Sequence, residues 1–471
     1  MHSTKVLKNV HQAVYDMYKA LPRIASIVER LAQSGGRALL VGGAVRDAVI
    51  GVAVKDIDIE VHGIPLEQLE KVLQEFGHVR LVGKAFGVLR IDGFDVDWSI
   101  PRADSAGRKP KVSFDPHMPL IEALRRRDLT MNAMAIDLIT LHLEDPFGGV
   151  KDIEKNILRV PDPELFIQDP LRYFRVMQFM GRFCMQPDQE LYDLGKTMLL
   201  DDISHERIVD EFYKLFVKGI QPSLGIDWLR DTGRLTYMLP EIAALQTTQQ
   251  DPEWHPEGTV YEHIKQAMDI AAQQVYQSDV HRYIMVVAAL LHDVGKSVTT
   301  KEINGRLRAF GHDVKGVPLA QACLDKIVVA KEVKETVIKL VRYHMMPFAF
   351  IKTQAGAVAY KRLAKKLYPD TCLQTLALLA YCDKSARKGA HYNEQILFKA
   401  TPREYLAIFT KQAQAYGVLF SPEKPLLHGR DIIDIVAPGP EMGKILERAY
   451  RIQIEQGITD KNILKMKLIH N

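Results

Sequence analysis

The chain has 471 residues, of which 47% are hydrophobic and 25% charged, a composition typical of globular proteins with several buried cores. At about 150 residues per domain, this length predicts roughly three domains. The 62 basic and 58 acidic residues give a net charge of +4, and that balance by itself indicates no partner. The four cysteines form no C-x-x-C pair, which excludes a disulfide scaffold and a cysteine-ligated zinc module.

The apolar runs of the chain are short. The longest, at 283–291, is far below the length of a membrane span, and the N-terminal segment has no signal-peptide core. These features predict a soluble, cytoplasmic protein that has no membrane partner.

The apolar periodicity divides the chain into five predicted parts. Residues 1–34 keep helical spacing, whereas the following segment alternates short strand-like runs with short helical patterns. After Pro161-Asp162-Pro163 the strand signals largely vanish, and helical periodicity continues to the end. The predicted fold class is therefore α+β: an N-terminal helical extension (1–34), a mixed α/β head (35–160), a helical neck (161–247), a helical third domain (248–400) and a helical tail (401–471).

A strand-like run at 38–41 ends in Gly42-Gly43, and Arg46 follows in the next helix. Two glycines let the backbone approach a ligand closely, and the free N–H groups at the start of a helix favour an anion. The arginine would add a charged donor fork to a phosphate. A tight strand-to-helix turn with an exposed arginine is the alternative that these residues leave open.

Two pairs of carboxylates lie in strand-like runs after this turn. Asp56 and Asp58 are two residues apart, so a strand places both on one face. Adjacent carboxylates repel each other unless a hard cation lies between them, and Mg²⁺ is the usual oxygen-ligated ion. A lone D-x-D is a weak signal, but Asp95 and Asp97 form a second one, which offers a third carboxylate for two-metal nucleotidyl transfer.

Three segments of the chain resemble a known family in their order and spacing: GGAVRDAVIG, KDIDIEVHG, and RRRDLTMNAMAIDL with DPFGGVKDI after it. They are similar to the class II tRNA nucleotidyltransferases, the CCA-adding enzymes, and to their bacterial poly(A) polymerase relatives. The resemblance implies a nucleotidyltransferase head, Mg²⁺ as cofactor, and tRNA, CTP and ATP as partners. It implies triphosphate contact for Gly43 and Arg46, Mg²⁺ binding for Asp56 and Asp58, the third carboxylate for Asp97, and ribose and phosphate contact for Arg127, Asp128 and Asn132.

The neck segment IQDPLRYFR resembles the family motif E-D-x-x-R. The family pairs this Asp and this Arg with the edge of the incoming base, which selects a nucleotide without a nucleic-acid template. The resemblance implies that Asp169 and Arg172 select the base, with Arg175 one turn further along the same face. Taken alone, Asp169-Pro170 is also the ordinary start of a helix, an N-cap followed by a proline.

The chain departs from the family at two neck positions. Gln168 stands where the family has Glu, and Gln178 stands where it commonly has Arg. A neutral Gln cannot hold a neighbouring arginine by charge. We therefore expect these departures to affect the rigidity of the base-selecting site and the switch from adding C to adding A.

The third domain contains the dyad His292-Asp293 in ALLHDVGK, after an apolar run. With histidines and an aspartate at matching separations on both sides, this segment resembles the HD metallophosphohydrolase superfamily. Imidazoles and carboxylates that converge from several helices bind a divalent metal that activates water. The resemblance implies a second divalent metal held by His263, His292, Asp293 and Asp383, with His312 and His344 supporting a further metal or a substrate phosphate.

These features predict an enzyme that adds C, C and A to the tRNA 3′ end from CTP and ATP, with a further HD phosphohydrolase activity. The alternatives are a partial enzyme that adds only CC or only A, a poly(A) polymerase, or an HD phosphohydrolase whose head only binds RNA. A non-catalytic RNA chaperone would require both metal sites to be inactive. The sequence predicts no oligomeric state.

Overall fold

The structure, a computed structural model, describes residues 3–82, 87–104, 112–387 and 401–469. It divides into two compact units, one of residues 1–215 and 224–234, the other of residues 216–223 and 235–471. The helices are α1 (Thr4–Ala20), α2 (Arg23–Gln33), α3 (Gly43–Ile50), α4 (Leu66–Gln74), α5 (Leu120–Arg125), α6 (Gly149–Lys155), α7 (Pro163–Phe166), α8 (Leu171–Phe183), α9 (Gln189–Thr197), α10 (His205–Lys218), α11 (Ser223–Asp231), α12 (Leu235–Met238), α13 (Pro240–Ala243), α14 (Val260–Ala272), α15 (Asp279–Leu291), α16 (Lys296–Thr299), α17 (His312–Ile327), α18 (Lys331–Tyr343), α19 (Met346–Thr353), α20 (Ala357–Leu367), α21 (Leu373–Ser385), α22 (Pro402–Ala415), α23 (Pro440–Gln456) and α24 (Lys461–Ile469). The strands are β1 (Arg37–Val41), β2 (Ile57–His62), β3 (Val79–Val82), β4 (Val88–Ile91), β5 (Val96–Ser99), β6 (Arg102–Asp104), β7 (Val112–Phe114), β8 (Ala135–Asp137), β9 (Leu143–Glu144), β10 (Ile157–Leu158), β11 (Gln186–Pro187), β12 (Lys301–Ile303) and β13 (Arg306–Arg308).

The first unit is built on a seven-stranded mixed sheet in the order β3-β4-β5-β2-β1-β8-β9. β2 pairs in parallel with β5 and antiparallel with β1, and β1 pairs antiparallel with β8. The interior strand β1 is an apolar run whose last four residues are buried, as expected for a strand inside a sheet. Because β2 and β5 are parallel neighbours, polar residues near the starts of both strands meet at one end of the sheet.

The N-terminal helices α1 and α2 pack on this sheet. The sequence predicts helical spacing throughout 1–34, but the structure interrupts it at Leu21-Pro22, because proline lacks an N–H and its ring crowds the preceding turn. Their apolar faces share one core with the sheet, through Val6, Val10, Val14, Met17, Ile24, Ile27, Val28 and Leu31.

In the described part of the second unit, the elements are helices except for one hairpin, formed by β12 and β13. Asn304 and Gly305 both have positive φ, 53° and 72°, which is the geometry of a tight two-residue turn. The prediction of an all-helical third domain was therefore wrong at this point. A short parallel pair, β10 with β11, likewise interrupts the predicted helical neck. For the hairpin of β12 and β13, the sequence did contain a signal, because Asn-Gly between alternating residues is typical of a tight hairpin turn.

The predicted α+β class is confirmed, with a sheet-based head and a helical remainder. The division into five parts stays a prediction, and the last residues of the predicted third domain, 388–400, lie outside the described part of the chain. Within the described ranges, every helix is too short or too polar to cross a bilayer.

Candidate functional site

Three predicted carboxylates lie near the starts of two neighbouring strands. Asp58 is the second residue of β2 and lies directly opposite Asp97 of β5 in the parallel register. Asp56 lies just before β2, rather than within the strand as predicted, and is exposed. Ile57 and Ile59 are buried in the core of the sheet, so strand alternation turns Asp58 to the opposite face.

The two carboxylates of the second D-x-D differ in their surroundings. Asp95 precedes β5 and its side chain is 89% exposed, whereas Asp97 lies within β5 beside Asp58. Arg90 of β4 donates to Oδ1 of Asp97 at 2.6 Å and thereby fixes its orientation. The sequence analysis missed Arg90, which the pairing of β4 with β5 brings into position.

The repulsion between these carboxylates is visible at Asp58. Burial raises the pKa of Asp58, the charges of Asp97 and Asp56 raise it further, and Arg127 opposes them. A carboxylate whose proton affinity is raised by two other carboxylates belongs to the kind of oxygen donor set that a hard divalent cation binds. The residues present therefore fit the Mg²⁺ that the sequence motif implies.

The glycine turn adjoins this carboxylate group. Gly42 has φ +70° and precedes α3, a conformation that favours glycine. A Cβ atom on Gly42 would lie 3.3 Å from Nη1 of Arg127 and 3.8 Å from Oδ2 of Asp58. Arg127 is held from its other side by Glu60, whose Oε2 lies 3.5 Å from Nη2. The turn therefore combines helix N–H groups, a guanidinium and a carboxylate at one place, as binding of a metal-bound triphosphate requires.

Four of the predicted nucleotide-binding residues form one buried chain of hydrogen bonds. Nη1 of Arg46 donates to Oδ1 of Asn132 at 2.8 Å, and Nδ2 of Asn132 donates to Oδ1 of Asp128 at 3.0 Å. Nε of Arg175 donates to Oδ2 of Asp128 at 2.6 Å. Arg46 is only 4% exposed, and its remaining bonds go to Asp47, so it is not the solvated arginine of the alternative interpretation.

The charge of Asp128 is the centre of this chain. Burial raises the pKa of Asp128, but Arg175 and Asn132 outweigh that effect and lower it to about 2. The backbone N–H of Leu129 also donates to Oδ1, at 2.8 Å. The carboxylate therefore stays ionised and holds a head residue and a neck residue together.

Arg172 binds the same segment through its main chain. Nη1 donates to the carbonyl of Leu165 at 2.8 Å, and Nη2 donates to the carbonyl of Arg126 at 2.5 Å. Oδ1 of Asp169 accepts from the backbone N–H two residues further on, and Pro170, not Asp169, is the N-cap of α8. Both predicted base-selecting residues thus lie at the start of α8, with polar atoms engaged inside the protein.

The two departures from the family motif have different environments. Gln168 is exposed, whereas Gln178 is 3% exposed. Among the described residues, no donor reaches Oε1 of Gln178. A buried carbonyl oxygen without a donor costs about 1–3 kcal/mol, so the replacement of the family's arginine leaves a local penalty in α8.

In the second unit, the four residues implied as metal ligands converge in the interior. Oδ1 of Asp383 lies 3.0 Å from Nε2 of His263, and Oδ2 of Asp293 lies 3.3 Å from Nε2 of His292. All four side chains are at most 3% exposed. Burial raises the pKa of Asp293, but Lys296, whose Nζ lies 2.6 Å from Oδ2, and His292 hold it well below its usual range.

Asp293 also faces the two remaining histidines. Its Oδ1 lies 3.2 Å from Nε2 of His312 and 3.7 Å from Nε2 of His344. The two Nε2 atoms are 3.1 Å from each other. Five of the six residues therefore form two adjoining groups of donors that share Asp293, and each group suits a divalent metal. Asp383 adjoins the first group through His263.

The second nitrogen of each histidine supports this interpretation. Nδ1 of His292, His312 and His344 each donates to a backbone carbonyl at 2.7–2.8 Å, so Nε2 is the ring nitrogen that faces the carboxylates and the other imidazoles. This is the orientation that a metal ligand needs, with Nδ1 held by the protein and Nε2 directed at the metal position. The donor set therefore fits a divalent metal.

The sequence analysis missed two residues behind these ligands. Oε1 of Glu257 accepts from Nδ1 of His263 at 2.7 Å and from Nδ1 of His255 at 2.8 Å. Burial raises the pKa of Glu257, but the two histidines outweigh it and lower that pKa to about 2. Their signal was the segment WHPEG, which directly precedes α14.

Replacing Asp128 by Asn should destabilise the first unit by about 2–3 kcal/mol at pH 7. A carboxyl whose pKa is about 2 when folded and about 4 when unfolded stabilises the fold above pH 4, and this contribution disappears as the pH falls through 2. Urea unfolding at several pH values should therefore show a difference between wild type and variant that shrinks below pH 4. Asp92→Asn, which removes the exposed partner of Arg80, is the control and should change stability little. A difference independent of pH would contradict this account.

Replacing Glu257 by Gln should weaken metal binding at the HD residues by about 10- to 100-fold, because a neutral amide orients His263 less strongly. Titration of the metal-free protein with Co²⁺, followed by absorbance, measures this affinity directly. Glu262→Gln serves as the control, because Glu262 lies on α14 with His263 but is the partner of Lys265. An unchanged affinity in Glu257→Gln would show that the carboxylate has no part in ligand orientation.

Three family models match successive parts of the chain: the Poly A polymerase head domain at 38–159, the probable RNA and SrmB-binding site of polymerase A at 196–246, and the HD domain at 260–378. Among solved structures, the Bacillus stearothermophilus CCA-adding enzyme in complex with CTP has a TM-score of 0.63 at 19% identity, covering 94% of this chain and 95% of that one. The Thermotoga maritima CCA-adding enzyme complexed with tRNA has a TM-score of 0.59 at 18% identity, covering 99% and 98%. These two structures share the fold.

A multifunctional CCA protein from Nitrosospira multiformis is 32% identical over 366 residues, which cover 74% of this chain and 83% of that protein. The similarity extends across most of both chains, in agreement with the order of the matched family models. The chain belongs to the multifunctional CCA protein family.

Proposed function

We propose that this chain adds C, C and A to the 3′ end of tRNA from CTP and ATP. The observation that carries the proposal is the pairing of Asp58 with Asp97 across parallel strands, beside the turn at Gly42 and the guanidinium of Arg127. Family membership supports it, as does the shared fold with CCA-adding enzymes whose structures contain CTP or tRNA. We assign this role to the head at 35–160 and the neck at 161–247, and we place the reaction in the cytoplasm.

In the reaction, the tRNA 3′-hydroxyl oxygen forms a bond to the α-phosphorus of the nucleotide and pyrophosphate leaves. Asp56, Asp58 and Asp97 would hold Mg²⁺, which supplies charge neutralisation and hydroxyl activation when bound. The N–H groups from Gly43 onward and Arg127 bind the triphosphate. Arg46 acts mainly through Asn132, because its donors are already engaged in the protein.

Base selection falls to the start of α8. Asp169 and Arg172 offer an acceptor and donors for the edge of an incoming C or A, and Arg175 fixes the helix against Asp128. Arg172 must exchange its bonds to two backbone carbonyls for bonds to the base, so nucleotide binding and a local rearrangement of segment 165–172 are coupled.

We propose a second activity, hydrolysis of phosphoesters, for the HD residues at 248–400. Two adjoining donor groups that share Asp293 carry this proposal. His263, His292, Asp293 and Asp383 would hold one divalent metal, whose chemistry when bound is the activation of water. Lys296, at 2.6 Å from Asp293, is the nearby cation that neutralises this carboxylate, and His312 and His344 complete the second group.

Asp58→Asn should reduce nucleotide incorporation by at least about a hundredfold, because the amide keeps the shape but loses the charge. The assay supplies a tRNA that lacks its 3′ end and single nucleotides, and reads product length. Asp92→Asn is the control, since Asp92 pairs with the exposed Arg80 and not with the carboxylates of the site. Product length also separates full CCA addition from addition of CC or A alone and from poly(A) synthesis. Near-normal incorporation by a folded Asp58→Asn protein would overturn the assignment.

The variant with His292→Ala and Asp293→Ala should lose phosphoester hydrolysis and keep nucleotide addition. The two sets of residues belong to different compact units, so their chemistry should be separable. Both activities are measured on the same preparation, with circular dichroism as the test of folding. Loss of nucleotide addition in a folded double variant would exclude two independent sites.

A further inference from the structure

A cleft of about 610 Å³ in the second unit has no role in the functions described above. Its walls come from α16, the hairpin β12–β13 and the first turn of α17. Small-molecule sites commonly have volumes of about 300–1,000 Å³, so the cleft is large enough for a nucleotide.

Cations line one side of this cleft. Lys301 and Arg308 lie directly opposite each other in the antiparallel register of the hairpin, and Lys315 of α17 adds a third positive charge. Like charges in this position destabilise a hairpin. Within the described ranges, no carboxylate forms an ion pair with any of the three, whereas the neighbouring Arg306 pairs with Glu253. The arrangement is unfavourable for the hairpin alone and suits a bound anion.

An aromatic side chain lies beside the cations. Phe310 is 75% exposed, and Val298 and Val314, which also line the cleft, are 59% and 48% exposed. An exposed aromatic ring next to unpaired cations is the combination that binds nucleotides, because the ring stacks on a base and the cations bind the phosphates.

The cleft adjoins the HD residues through two shared elements. Gly311 lines the cleft, and the next residue, His312, contacts Asp293. The helix α16 begins at Lys296, which also contacts Asp293. A Cβ atom on Gly295 would lie 2.0 Å from the carbonyl oxygen of His312, so the two elements touch through their backbones.

We propose that this cleft binds the nucleoside part of the phosphoester that the HD residues hydrolyse, with the base stacked on Phe310 and a second phosphate, the unreacted 5′-phosphate, on Lys301 and Arg308. The ligand chemistry is that of a ribonucleotide, either free or at the end of an RNA chain. The role of the cleft as a substrate subsite rests on the proposed hydrolase activity. Nucleotide binding by the cleft does not depend on that activity.

The test compares Phe310→Ala with wild type in the full-length, metal-loaded protein, using adenosine 3′-phosphate and glycerol phosphate as substrates. The KM for adenosine 3′-phosphate should rise about 5- to 150-fold, the effect of losing one base–aromatic stack, while its kcat stays unchanged. Hydrolysis of glycerol phosphate, which has no base, should not change. Phe310→Trp should retain a low KM, and Phe420→Ala, which removes another exposed ring, is the matched control.

The source of the ligand is distinguished with adenosine 3′,5′-bisphosphate and with an oligoribonucleotide that ends in a 3′-phosphate, because both carry a 5′-phosphate that adenosine 3′-phosphate lacks. In the variant with Lys301→Gln and Arg308→Gln, a larger loss of kcat/KM for the oligoribonucleotide than for the bisphosphate identifies an RNA end. An equal loss for both identifies a free nucleotide. No loss for either substrate, or an equal loss for adenosine 3′-phosphate, overturns the phosphate role of the two cations.

An unchanged KM for adenosine 3′-phosphate in Phe310→Ala overturns the proposal, and so does an equal rise for glycerol phosphate. If the wild type hydrolyses neither substrate, the hydrolase proposal fails, and calorimetric binding of adenosine 3′-phosphate to the metal-free protein decides about the cleft. Binding by the head is the same in both proteins, so a weaker total binding in Phe310→Ala supports the cleft. Identical binding overturns it, and an unchanged circular dichroism spectrum and thermal unfolding curve show that the variant is folded.

Discussion

The buried charge of Asp128 is the interaction on which the nucleotide site depends. It accepts from Arg175 of α8 and from Asn132, which in turn accepts from Arg46 of α3. A buried carboxylate is costly unless donors surround it, so the elements that supply those donors are held in one arrangement. The glycine turn, the carboxylate strands and the start of α8 therefore keep fixed relative positions within the first unit.

The HD residues are also a buried polar group, but here the potential metal-binding atoms outnumber the cations. These atoms are carboxylate oxygens and imidazole nitrogens, and the closest cation is Lys296, at 2.6 Å from Asp293. Such an excess of donors in a buried place is unstable without a cation, and a divalent metal supplies the missing charge. Glu257 accepts from Nδ1 of His263 and adds a second layer to this arrangement, in a position to orient that imidazole.

The cleft beside the HD residues differs from both sites because its charges are exposed, as at Lys301, or half-buried, as at Arg308. Lys301 faces Arg308 across a hairpin, at a cost that the solvent reduces, and Phe310 has most of its surface in water. Buried ionic networks fix catalytic geometry, whereas exposed cations and an exposed ring leave room for a ligand to enter. Hydrolysis of a bulky phosphoester requires both kinds of site: rigid reactive groups, such as the HD residues, and an open binding surface, such as the cleft.

The sequence by itself determined the α+β class, the D-x-D carboxylates and the HD residues, because strand alternation, glycine turns and motif spacing are local properties. It also contained the Asn304-Gly305 turn, a local signal that the helical interpretation overlooked. The family resemblance implied Asp97 as the third carboxylate, but only the tertiary structure decided that Asp97 rather than Asp95 lies opposite Asp58, because register between strands depends on packing across the sheet. The partners of Arg46 and Arg172 and the position of Glu257 behind His263 were likewise decided there, since hydrogen bonds between residues far apart in the chain follow from the fold and leave no periodic trace in the sequence.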